Sequence, residues 1–149
     1  MEKTKAAMRA LREGCGMTQA DLADEFGVKV LSVKRWENPT NQSAVPDDVF
    51  EWLVTAHLDM HMRAIGLARS IAEEHGEGEI VLPYFRVQED LDEVQLPLGQ
   101  DQPVGYFNAT MRRVFDILAE MGLSVSFGYG DEATVVPFAD LAIKKMLDE

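Results

Sequence analysis

Between Lys5 and Trp36 apolar side chains return every three or four residues in short runs broken by glycine or polar stops, a pattern that predicts three short helices. In the first run Ala7, Met8 and Leu11 recur at i, i+1 and i+4, with Thr4 placed to cap its start and Gly14-Cys15-Gly16 to end it. Thr18 is placed to cap the second, and Asp21 three positions on completes a shortened capping box. Leu22, Phe26, Val28, Val33 and Trp36 fill the inward positions of the last two helices, and the polar stretch 38–43, with Pro39, closes the segment. A much longer period follows. Phe50, Leu53, Val54, His57, His61, Ala64, Ile65, Ala68, Ile71 and Ala72 hold helical spacing from Pro46 to His75-Gly76, with Asp47 and Asp48 at the end where the helix dipole favours negative charge. A helix of about twenty-five residues spans roughly 35 to 40 Å.

Downstream the pattern changes. Glu77-Gly78 reads as a turn and 80–85 as a strand, which Pro83 restricts to an edge or an irregular end. Residues 86–103 read as a solvated helical turn and a loop. Phe107, Met111, Val114, Phe115, Leu118 and Met121 make an amphipathic helix that Gly122 ends. The stretch 123–127 alternates as a half-buried strand does, and a turn at 128–131 leads into an apolar run at 133–138, which together predict a hairpin. A last short helix is expected over 139–147. The architecture expected is an N-terminal all-α unit, residues 1–45, joined by the long helix to a small α+β unit within residues 46–149.

The stretch Thr18 to Glu37 constrains the reading most. Counting from Gln19, the fifth position is Ala23, where two crossing helices leave no room for a larger side chain. The ninth is Gly27, where the chain must turn sharply with φ above zero. Five apolar positions, a small residue and a glycine together fit a helix-turn-helix. With LRE at 11–13 before Met17-Thr18-Gln19 and Trp36-Glu37-Asn38 after, the first fifty residues resemble the Cro/C1-type (XRE) helix-turn-helix family.

That resemblance implies double-stranded DNA as partner and a recognition helix at 29–37 lying in the major groove. It places Gln19 against a phosphate at a helix N-terminus, Asn38 at a second backbone contact, and Arg12 and Glu37 in a structural ion pair. The sequence departs from the family where Ser, Thr or Gln usually starts the recognition helix: Lys29-Val30-Leu31 stand there. Val30 and Leu31 suit thymine methyl groups, which leaves Lys34 and Arg35 as polar readers. The stretch 43–49 with the long helix and α/β region after it also resembles, less sharply, the two-domain repressors associated with anti-CRISPR operons, whose C-terminal part dimerises.

A net charge of −12 changes the picture only when it is divided. Residues 1–45 carry seven basic and six acidic side chains, for +1, and residues 46–149 seven and twenty, for −13. A near-neutral head with basic residues on one face binds a duplex, and the acidic remainder weakens non-specific attraction. The single cysteine, Cys15, forms no internal disulfide, and the absence of a secretory or bilayer-spanning run points to the cytoplasm and away from a membrane.

Other chemistries find less support. His57 and His61 stand four apart, but the HExxH signature needs Glu where Leu58 stands, so no metal is expected. The cluster Glu89, Asp90, Asp92 and Glu93 lacks the glycine and terminal Glu of a calcium loop. Asn108-Ala109-Thr110 matches a glycosylation acceptor only in letters. No G-x-S-x-G, phosphate loop or paired carboxylates suggest an enzyme, and no cofactor is implied. The expected function is a DNA-binding transcriptional regulator, a homodimeric repressor reading an inverted repeat. The alternative is an antitoxin or interaction module whose C-terminal part binds a partner protein while the head controls its own operon.

Overall fold

The computed structural model describes residues 1–75 and 78–132. Contacts divide the chain into two compact units, Met1–Met60 and the residues from His61 on.

The first unit begins with α1, Lys5–Gly14, whose N-terminal cap is the Thr4 hydroxyl accepting the Ala7 amide at 3.0 Å. Helix α2, Gln19–Phe26, starts on a complete capping box: Asp21 N–H donates to the Thr18 hydroxyl at 3.0 Å and Thr18 N–H donates to the Asp21 carboxylate at 2.9 Å. Gly27 ends α2 with φ of 61°, and the Val28 amide then reaches back to the Ala23 carbonyl at 3.0 Å. Helix α3, Val30–Glu37, follows and packs on α1 and α2. Its cap, Lys29, makes no side-chain hydrogen bond, as a residue without a short polar side chain must. Met8, Leu11, Cys15, Met17, Leu22, Ala23 and Val33 are buried, and the first half of α4, Asp47–His75, adds Val49, Phe50 and Leu53. Phe26 and Trp36 are only half-buried, and Phe26 meets Trp52 edge to face at 5.6 Å. Gly14 leaves room for the His57 ring, since a Cβ there would stand 2.8 Å from its Cε1.

Along α4 the buried stripe differs from the expected one. His61 is exposed and Met60 is fully buried. The stripe runs Leu53, His57, Met60, Ala64, Leu67 and Ile71 in alternating steps of four and three, whereas a second step of four from His57 drifts by roughly 40°.

The second unit places a two-stranded parallel sheet, β1, Ile80–Tyr84, beside β2, Val125–Tyr129, with Ile80 opposite Val125 and Tyr84 opposite Tyr129. A parallel pair needs a long crossover. Here it consists of α5, Gln88–Gln95, a 3-10 turn at Leu96–Leu98, and α6, Val104–Glu120, which packs on both strands. Residues 86–103 are thus more ordered than a turn and loop: Leu91 and Gln95 are fully buried, and the Gln95 amide bonds the Asp92 carboxylate and the Gln102 carbonyl. Ala64, Leu67, Ala68 and Ile71 of α4 join Ile80, Leu82, Phe85, Leu91, Phe107, Met111, Val114 and Leu118 in one core. Met121, expected on the apolar face of α6, is exposed past its end. The strand expected over 133–138, the helix over 139–147 and Gly76 lie outside the described residues.

Asn108 pairs with the backbone of Phe85 as a strand neighbour would. Its side chain accepts from the Phe85 amide at 3.0 Å and donates to the Phe85 carbonyl at 2.8 Å, both in buried surroundings. A buried backbone group left unpaired costs about 1–3 kcal/mol. Asn108→Ala is therefore expected to lower stability by at least about 2 kcal/mol in urea unfolding followed by far-UV circular dichroism. A change under about 0.5 kcal/mol, the range of ordinary surface substitutions, would show that Phe85 finds other partners.

Candidate nucleic-acid interface

Eight residues are too few for an isolated helix to persist in water, so α3 depends on what holds its two sides. On the inner side, Val33 and Glu37 are buried one turn apart. Glu37 forms a bidentate pair with Arg12 of α1, Nε to Oε2 at 2.7 Å and Nη2 to Oε1 at 2.8 Å. Arg12 Nη1 also donates to the Met17 carbonyl at 2.9 Å, which ties in the loop between α1 and α2. The hydrogen bonds that Arg12 donates to Glu37 raise the Arg12 pKa above its ordinary value and outweigh the lowering effect of burial. Gln19, the first residue of α2, donates its side-chain amide to Glu37 Oε1 at 3.3 Å.

The C-terminal end of α3 has a second anchor that the sequence does not announce. Lys5 Nζ donates to the carbonyls of Arg35 at 3.0 Å, Trp36 at 3.0 Å and Ser43 at 2.5 Å. An ammonium there meets the negative end of the helix dipole and adds a donor to carbonyls of the last turn, of which that of Arg35 also accepts the Asn38 amide at 3.3 Å. Its partners lie 30 to 38 residues along the chain, so no local pattern in the sequence marks Lys5.

On the outer side, Leu31, Lys34, Arg35 and Asn38 are exposed at i, i+3, i+4 and i+7, a single helical face. Leu31 keeps 54% of its surface. Val30 is half-buried beside the Val33 side of the helix, so of the two apolar residues at the start of α3 Leu31 is the more open. Lys29 is exposed at the cap. The Asn38 side-chain oxygen accepts from the Thr40 amide at 3.0 Å and its hydroxyl at 2.9 Å, which turns the amide NH₂ into the group Asn38 can offer to an acceptor.

Charge is distributed unequally over this unit. Lys3 pairs with Asp47, Arg9 with Glu13 at 2.7 Å and Arg12 with Glu37, while Lys5 is taken up by carbonyls. Among the described residues no carboxylate lies within 4.0 Å of Lys29, Lys34 or Arg35. Among the described residues of this unit, the basic side chains held neither by a carboxylate nor by backbone carbonyls thus belong to α3 and its cap. At the start of α2 the capping box occupies the Asp21 amide, and those of Gln19 and Ala20 have no helical partner.

Residues 8–41 match the helix-turn-helix family model, of the Cro/C1 type. The match, which runs from Met8 of α1 to Asn41 beyond α3, supports a DNA-binding unit of the kind found in transcription regulators. No curated protein matches the chain. No described helix is long and apolar enough to cross a membrane, and no group of three or more metal-ligating side chains comes together among the described residues. His61 Nδ1 lies 3.4 Å from Arg113 Nη1, a cationic neighbour that a metal ligand would not favour.

Removing one partner of a buried pair strands the other charge, at about 3–5 kcal/mol. Glu37→Ala is expected to lower stability by that much in chemical unfolding of the intact chain. Arg12→Met combined with Glu37→Leu, which removes both charges, should recover a large part of the loss. Normal unfolding of Glu37→Ala would assign Glu37 a role other than holding the fold.

Proposed function

We propose that this protein is a cytoplasmic repressor that binds double-stranded DNA as a homodimer, with α3 of each copy in the major groove of one half of an inverted repeat. The observation that carries the reading is the concentration of unneutralised cations, Lys29, Lys34 and Arg35, on the outer side of α3. Arg35 and Lys34 are one turn into the helix and long enough to reach guanine O6 and N7, while Leu31 suits a thymine methyl group. Lys29, the Asn38 amide and the N-terminus of α2 with Gln19 take phosphates and set the register.

Two-fold assembly follows from affinity. One head offers few polar base contacts, and specific sites typically need about 10⁻⁸ M. A second head tethered to the first binds in an effectively intramolecular step, which multiplies affinity by about 10² or more. The region after residue 46 is assigned the pairing, in keeping with its resemblance to two-domain repressors, and half-site centres should then lie near 34 Å apart. The acidic balance of that region, −13 over residues 46–149, limits non-specific attachment and leaves discrimination to the head.

Arg35→Ala should lower specific affinity by about 1–3 kcal/mol and relax one operator position, whereas Lys29→Ala should weaken all sequences alike and reduce the salt slope by about one per head. Fluorescence anisotropy with operator and scrambled duplexes at several salt concentrations separates the two. Unchanged specificity in Arg35→Ala would mean that another face of the head meets the bases. Light scattering with footprinting tests the assembly: a monomer on one asymmetric half-site contradicts it.

A further inference from the structure

The second unit carries a cleft of its own. It has a volume of about 520 Å³ and is lined by Tyr84 at the end of β1, Arg112 of α6, Phe127, Gly128 and Tyr129 of β2, and Glu132. Small-molecule sites fall in the range of roughly 300–1,000 Å³.

Its aromatic walls are held from behind. The Phe127 ring stacks on Phe115 with centroids 4.9 Å apart and planes at 19°, and Tyr84 meets it edge-on at 5.5 Å. Arg86 lies over the Tyr129 ring at 5.0 Å and is itself anchored by Asp131 at 2.8 Å. Phe127 and Tyr129 project from the same face of β2, two residues apart, with the side-chain-free Gly128 between them. They still keep 40% and 46% of their surface exposed. Ordered aromatic surface that the fold leaves open is where an apolar ligand gains most from leaving water.

The cleft also holds a positioned cation. Arg112 Nη1 donates to the Tyr84 hydroxyl at 2.6 Å, and among the described residues no carboxylate lies within 4.0 Å of the guanidinium. A guanidinium with donors to spare recognises a carboxylate through paired hydrogen bonds. Glu132 on the rim sets a limit, since its charge repels a second anionic group.

We propose that this cleft binds a small aromatic monocarboxylate, its ring against Phe127 and Tyr129 and its carboxylate on Arg112. The inference concerns binding by the second unit alone and does not depend on what the head reads.

Calorimetry of the intact protein with indole-3-acetate tests it, with indole-3-ethanol as the neutral analogue of the same shape and octanoate as the acid without a ring. Indole-3-acetate should bind below millimolar concentration, and both the alcohol and octanoate should bind at least about tenfold more weakly. Arg112→Gln should remove the preference for the acid over the alcohol while leaving the melting temperature without ligand unchanged, because the side chain is exposed. Arg112→Lys should restore part of it. Absence of binding at millimolar indole-3-acetate, equal affinity for the alcohol, equal affinity for octanoate, or an unaltered preference in Arg112→Gln would each overturn the assignment.

Discussion

The buried pair between Arg12 and Glu37 is the interaction on which the head depends. Side-chain exposure is only 10% for the arginine and 4% for the carboxylate, so neither charge can turn to water if the other is lost. Through the Met17 carbonyl and the Gln19 amide the same two residues reach the loop before α2 and the first turn of α2. A two-turn helix with an unassisted N-terminal cap is thereby fixed from its inner side, while Lys5 closes its C-terminal carbonyls from outside. What remains outward is a face whose side chains are not needed to hold the fold.

This division of labour among charges explains how a chain of net charge −12 can present a duplex-binding surface. The cations that stabilise the head are consumed by carboxylates and carbonyls, and those on α3 are not. Gln19 shows that the two sets are not fully separate. Its backbone amide belongs to the helix end proposed to face a phosphate, yet its side chain supports Glu37, so a substitution there acts on the pair as well as on any contact.

Local chemistry was the most legible part of the sequence. Thr4, Thr18 with Asp21, and Gly27 each act on residues within four positions, and their caps and turn could be read without knowing the fold. Long-range placement was not. Alternation marked 123–127 as a strand and the turn after it suggested 133–138 as a hairpin partner, whereas the partner among the described residues is β1, in parallel register across a helical crossover that no local pattern announces. Asn108 looked like an acceptor motif in letters and is a buried strand mimic. His61 was read into the α4 stripe because steps of four look periodic over two turns, and the alternation of four and three that Met60 continues emerges only over four turns or more. In the site, the anchoring by Lys5 and the half-burial of Val30 went unseen for a single reason: both depend on which side of α3 is packed, and residue type alone does not carry that.

The central claim is that the outer face of α3 meets DNA. An iron chelate that cleaves DNA, attached at Leu31→Cys, reports it directly, since the only other thiol, Cys15, is buried. On fragments enriched by the intact protein, cleavage from position 31 should fall within a few base pairs at the centre of each half-site, and the same chelate at Val87→Cys, exposed in the second unit, should give none there. Cleavage from position 87 with none from position 31 would contradict the account.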